Sequence, residues 1–129
     1  MHGPIQLFTV IALLSLPTVM YGGYALMGVM RKQALTEHQR NMFRAGHAHA
    51  GVLLVLALVV LQILSRTTLA DTTLWITSFL LLIGILAQSG GFFLHLAPGK
   101  GGLGGRVTSV GALLLGAAML LTAYGVAFP

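Results

Sequence analysis

A chain of 129 residues, 57% hydrophobic and 7% charged, with mean hydropathy +0.93, lies outside the soluble range and reads as one integral membrane domain. Zero cysteines exclude disulfides, thiolate metal sites, iron-sulfur ligation and covalent haem attachment, which leaves imidazole and thioether as the only soft ligands. The formal charge of +5 comes from seven basic residues at helix ends and in short loops, a distribution that excludes nucleic acid as a partner and favours the lipid bilayer.

Four apolar stretches, roughly 5–30, 42–64, 74–96 and 107–128, each approach the ~20 residues that a bilayer requires. The fold class is therefore all-α: a polytopic membrane protein built as an antiparallel four-transmembrane-helix bundle, with residues 1–129 as one domain. The opening Met-His-Gly-Pro lacks the basic n-region of a signal peptide, so the first stretch reads as an uncleaved span. Pro17 is expected to kink it, while Gly22, Gly23 and Gly28 permit close backbone approach near its end. Thr36 and Gln39 fit a capping box, so the second helix begins before the membrane and carries Arg40 and Arg44 on an overhang.

Residues 66–71 form the short second connection, after which Asp71 or Thr72 is expected to cap the third helix. Pro98 stops that helix, and the glycine-rich stretch 99–106 reads as a flexible hairpin connection. It lacks the strand and the Lys-Ser/Thr pair of a phosphate-binding loop, although Lys100 and Arg106 suit a lipid headgroup. The first and third connections carry Arg31, Lys32, Arg40, Arg44, Lys100 and Arg106, and the second only Arg66. Six cations against one predict both termini outside, in a bacterial inner membrane. The only two acids, Glu37 and Asp71, lie in or beside loops, which excludes carboxylate di-iron sites, paired-carboxylate hydrolysis and a buried acid relay. No catalytic set is found.

The chemistry concentrates in Arg44-Ala45-Gly46-His47-Ala48-His49-Ala50-Gly51, because intramembrane histidines are costly and normally face protein partners. The topology brings His47 and His49 to the same half of the bundle as His95, whereas His2 and His38 read as interfacial. Arg40, Arg44, His47 and Gly51 repeat at i, i+4, i+7 and i+11, and Gly84, Gln88, Gly91 and His95 share that spacing. Both stripes are expected to turn inward, toward each other. A haem b suits such a gap: His47 and His95 as axial ligands, Gly51 and Gly91 for clearance, Arg40 and Arg44 for the propionates. His49 lies ~200° around the helix from His47 and is expected to face helix four or another subunit.

The His-x-His pair resembles the helix of haem-copper oxidase catalytic subunits whose two histidines serve two haems on opposite faces. The stretch from Arg44 to Gly51 is similar to an R-x-x-H-A-H-x-x-x-x-G element of small bacterial membrane proteins related to fragments of that superfamily, with the glycine earlier here. The likeness spans about eight residues of 129 and implies a haem-type role for His47 and His49. Oxygen reduction by that mechanism is excluded, since the further histidines of a copper centre are missing. Other readings of the same residues stay open: interhelical hydrogen bonds with no cofactor, a zinc or copper site at His47, His49 and His95, proton or solute movement, or a non-catalytic module. The last would oligomerise or join a larger membrane complex through Ala112 and Gly116, with Gly111 beside them. Met20, Met27, Met30, Met42 and Met119 read as core fillers, and Trp75, Tyr21, Tyr24 and Tyr124 as interfacial anchors.

Overall fold

The computed structural model describes residues 3–32 and 35–129; His2 lies outside the described residues. Four helices follow in order: α1 (Gly3–Lys32), α2 (Glu37–Leu64), α3 (Asp71–Leu94) and α4 (Gly101–Ala127). All four are long and apolar enough to cross a membrane. In lipid the backbone polar groups must be satisfied within the segment, and an all-helical chain meets that demand. The hydroxyls of Ser15, Thr77, Ser89 and Thr122 follow the same rule, each donating to the carbonyl four residues earlier at 2.6–2.8 Å. Among the described residues Thr9 Oγ1 and Ser78 Oγ are exceptions, buried and without a partner, and Ser78 is fully buried.

The Thr36–Gln39 capping box is present in both directions: Gln39 N donates to Thr36 Oγ1 at 3.2 Å, and Thr36 N to Gln39 Oε1 at 3.0 Å. Started there, α2 runs 28 residues, or ~42 Å, so its first turns overhang a ~30 Å hydrocarbon layer. Helix α1 continues through Pro17. At the third helix the cap differs from expectation. Ala70 is the N-cap and makes no side-chain bond, while Asp71 sits in the first helical turn with its carboxylate near Gly3, favouring the helix by charge rather than by capping. The glycine stretch differs more: residues from Gly101 onward are helical, so α4 starts six residues before the expected 107. Tertiary packing overrides glycine's poor propensity there, because Gly104 lies flat against Gly91 and His95.

Packing is tightest between α3 and α4, where glycines bring the two backbones together. A methyl added at Gly104 would stand 2.6 Å from the Gly91 oxygen, and one added at Gly84 would meet Leu115 at 2.8 Å. Gly111 rests directly on the backbone of Ala87 and Gln88. Helix α1 packs on α2 and α3, and among the described residues no Cα of α1 comes within 8 Å of α4, so the bundle is open along that side. Its apolar core gathers near the 65–70 connection, around Ile5, Phe8, Ala57, Leu61, Leu64, Leu81, Ile85 and Ala118. Trp75 belongs to that end too, half-buried between Phe8 and Phe79 at centroid distances of 6.1 and 5.9 Å. The opposite half holds Gly46, Gly91 and Gly104, together with Phe92, Phe93 and the rings of His47, His49 and His95.

Two substitutions separate close-approach glycines from spectators. Gly111→Ala drives a methyl into α3 and is expected to cost about 1–3 kcal/mol, read as a lower thermal midpoint in detergent. Gly22→Ala, with nothing within 4 Å, leaves that midpoint unchanged or raises it.

Candidate functional site

Both polar stripes exist, but each faces its own hairpin partner. On α2 the buried residues Gly46, Leu54, Ala57, Leu61 and Leu64 mark the inward direction, and at ~100° per residue His47 lies ~100° to one side of Gly46 and His49 ~60° to the other. His47 turns to α1, where its Nε2 would stand 2.7 Å from a methyl on Gly23. Gly51 turns the same way, 3.8 Å from Val19 by the same measure. Gly22 and Gly28 have no neighbour within 4 Å, so of the three glycines expected to permit close approach only Gly23 does so. Arg40 and Arg44 are exposed.

The α3 stripe faces α4. Gly84 meets Leu115, the Gln88 backbone meets Gly111, Gly91 meets Gly104 and Thr108, and His95 lies against Gly104 and Gly101. Thr108 Oγ1 donates to the Gln88 carbonyl at 3.4 Å across this interface. His47 and His95 are thus lodged in different interfaces rather than facing one gap. The expectation that the stripes meet is corrected, and its cause is physical: polar periodicity marks an inward face but not which neighbour fills it. Gly51 and Gly91 are likewise occupied by α1 and α4, so neither gives clearance between α2 and α3.

Of His47 and His49, the one that faces α3 is His49. Its ring tilts over Phe92 at a centroid distance of 4.7 Å and an interplanar angle of 38°. Its Nδ1 lies 2.8 Å from the Ala45 carbonyl oxygen. A carbonyl only accepts, so Nδ1 carries the proton, and in the neutral ring Nε2 keeps a lone pair directed away from the helix backbone. The ring lines a cleft of about 350 Å³ with Ala48, Val52, Leu53 and Gln88. This is a fixed imidazole beside a single amide on an otherwise apolar wall.

His38 is the residue that sequence reasoning missed. Expected at the interface alone, it meets His95 edge to face at 5.6 Å, joining the start of α2 to the end of α3. The one available signal was the capping box, which fixed α2 as helical from Glu37 and so brought His38 level with the far end of α3. Glu37 does not complete a metal site there: among the described residues no group of three or more His, Cys, Asp or Glu side chains is arranged to hold an ion.

Comparison of the chain with protein-family models, with curated proteins and with solved structures gave no match. The placement of the imidazoles is directly testable because the chain has no cysteine of its own. With cysteines replacing His38 and His95, a short bis-maleimide is expected to join α2 to α3 in most molecules. With cysteines replacing His47 and His95, it joins few, as read by mass after proteolysis.

Proposed function

We propose that this small integral membrane protein holds haem b at the α2/α3 cleft, where Nε2 of His49 is the nitrogen that would hold the iron, and serves electron transfer, haem sensing or haem delivery. The hydrogen bond from Nδ1 to the Ala45 carbonyl is the observation that carries the proposal. Histidines that ligate metals commonly donate their other ring nitrogen to such an acceptor, which fixes the tautomer and raises the basicity of the free nitrogen. Ala48 and Val52 give the apolar wall that a macrocycle face needs, and Gln88 offers an amide at its edge.

Arg44 precedes Ala48 by one turn and Arg40 precedes Arg44 by another, so both guanidinium groups stand headgroup-ward of the cleft as donors for propionates. His47 and His95 fall outside this ligand set. The six-to-one division of cations supports an orientation with both termini outside and the cleft in the inner half of a bacterial inner membrane.

Purified protein titrated with haemin in detergent tests the assignment. Wild type and His47→Ala are expected to develop a Soret band shifted from free haemin, and His49→Ala to lose at least tenfold in affinity, with Arg44→Gln losing a few-fold. An unshifted spectrum in wild type, or equal binding by His49→Ala, overturns the proposal.

A second reading, a non-catalytic module that assembles with copies of itself, rests on a different face. Ala112 and Gly116 of α4 are exposed and Gly116 has no neighbour within 4 Å, whereas Gly111 is already used against α3. Gly116→Leu is expected to convert an oligomer into a monomer by detergent-corrected mass, and a wild-type monomer without a partner contradicts this reading.

A further inference from the structure

At the 65–70 end of the molecule a different groove separates α2 from α4. These helices meet only diagonally across α3, and their ends enclose a cleft of about 610 Å³. Its walls are Leu58, Val59 and Ile63 of α2, Val126 of α4 and Pro129 beyond it, and its polar residues are Gln62, near the end of α2, and Arg66 and Thr67 just past it. From Leu58 to Ile63 the wall on α2 is ~7.5 Å long at ~1.5 Å per residue, and Arg66 closes its end. The floor is held by Gly125, which lies so close to Leu69 and Thr67 that a methyl there would meet Leu69 at 2.6 Å.

Charge decides what fits. Of the two acids in the chain, Glu37 is at the opposite end and Asp71 is turned to Gly3, so neither is committed to the Arg66 guanidinium. Arg66 is exposed on a short connection that every crossing of the bilayer puts at headgroup level. A guanidinium there presents a planar pair of donors matched to a phosphate, directly above an apolar slot matched to an acyl chain. We propose that this groove is a binding site for one anionic phospholipid, its phosphate on Arg66 and one acyl chain between Leu58, Val59, Ile63 and Val126. Gln62, one turn below Arg66, faces the ester region and supplies an amide to it. The site is independent of the histidines and is separated from them along α2.

Native mass spectrometry of the detergent-purified chain, supplied with phosphatidylglycerol or with phosphatidylcholine of the same acyl chains, tests it. Wild type is expected to retain one phosphatidylglycerol at least fivefold over phosphatidylcholine. Arg66→Gln is expected to erase that preference, and Val126→Trp, which fills the slot from an exposed position, to reduce retention of both lipids. Far-UV circular dichroism of both variants checks that the helices persist. Equal retention of the two lipids by wild type overturns the proposal, as does an Arg66→Gln protein that keeps the preference. Displacement of the lipid by millimolar inorganic phosphate also overturns it, since a bare anion site has no use for the acyl slot.

Discussion

Backbone contact between α3 and α4 sets the rest of the arrangement. Gly91 lies on Gly104 and Thr108, and Gly111 on the Gln88 backbone, an approach so close that it restricts how α3 can turn about its axis. In a bilayer, where hydrophobic burial gives helices little reason to associate, such close packing is the main source of both affinity and angle. The rotation commits Gly84, Gly91 and His95 to α4 and leaves Phe92, with the side chain of Gln88, for the α2 side. Helix α2 then meets α3 with Gly46 against Phe92 and Phe93, and its two flanking histidines are forced apart, one toward α1 and one toward α3.

This division explains how three intramembrane-level imidazoles can be tolerated without forming one cluster. His47 fills the space left by Gly23, His49 donates to its own helix and tilts over Phe92, and His95 rests between Gly104 and His38. Each ring has an apolar or aromatic neighbour, and only His49 combines a fixed tautomer with an open cleft. The apolar core is concentrated at the other end, around Leu61, Leu64, Leu81 and Ala118, so the glycine and histidine half gives up burial for close approach and chemistry. Polar side chains thus mark both ends: histidines at one, Gln62 and Arg66 at the other.

The four helices, their antiparallel order and the start of α2 were legible because hydropathy, length and the Thr36–Gln39 pair are local signals that lipid leaves unopposed. The start of α4 was not, because Gly101 to Gly105 is a loop by propensity and a helix only by its contacts with Gly91 and His95. At the candidate site, the stripes of α2 and α3 were visible as patterns, yet their partners were not. Spacing gives an angle around one helix axis; which helix occupies that angle depends on all four at once. The pairing of His38 with His95 is long-range in the same sense, and the cap of α3 fell to Ala70 because Asp71 was drawn into the first turn beside Gly3.

The account centres on the tautomer of one ring. Long-range ¹H–¹⁵N correlation spectra of imidazole-labelled protein in micelles at neutral pH, with His49 assigned by comparison with His49→Ala, report which nitrogen carries the proton. A single set of His49 signals with a protonated Nδ1 and an unprotonated Nε2 is the predicted result. A ring protonated at Nε2 alone, or one averaging between both tautomers, would contradict the account by removing the free nitrogen on which the cleft's chemistry rests.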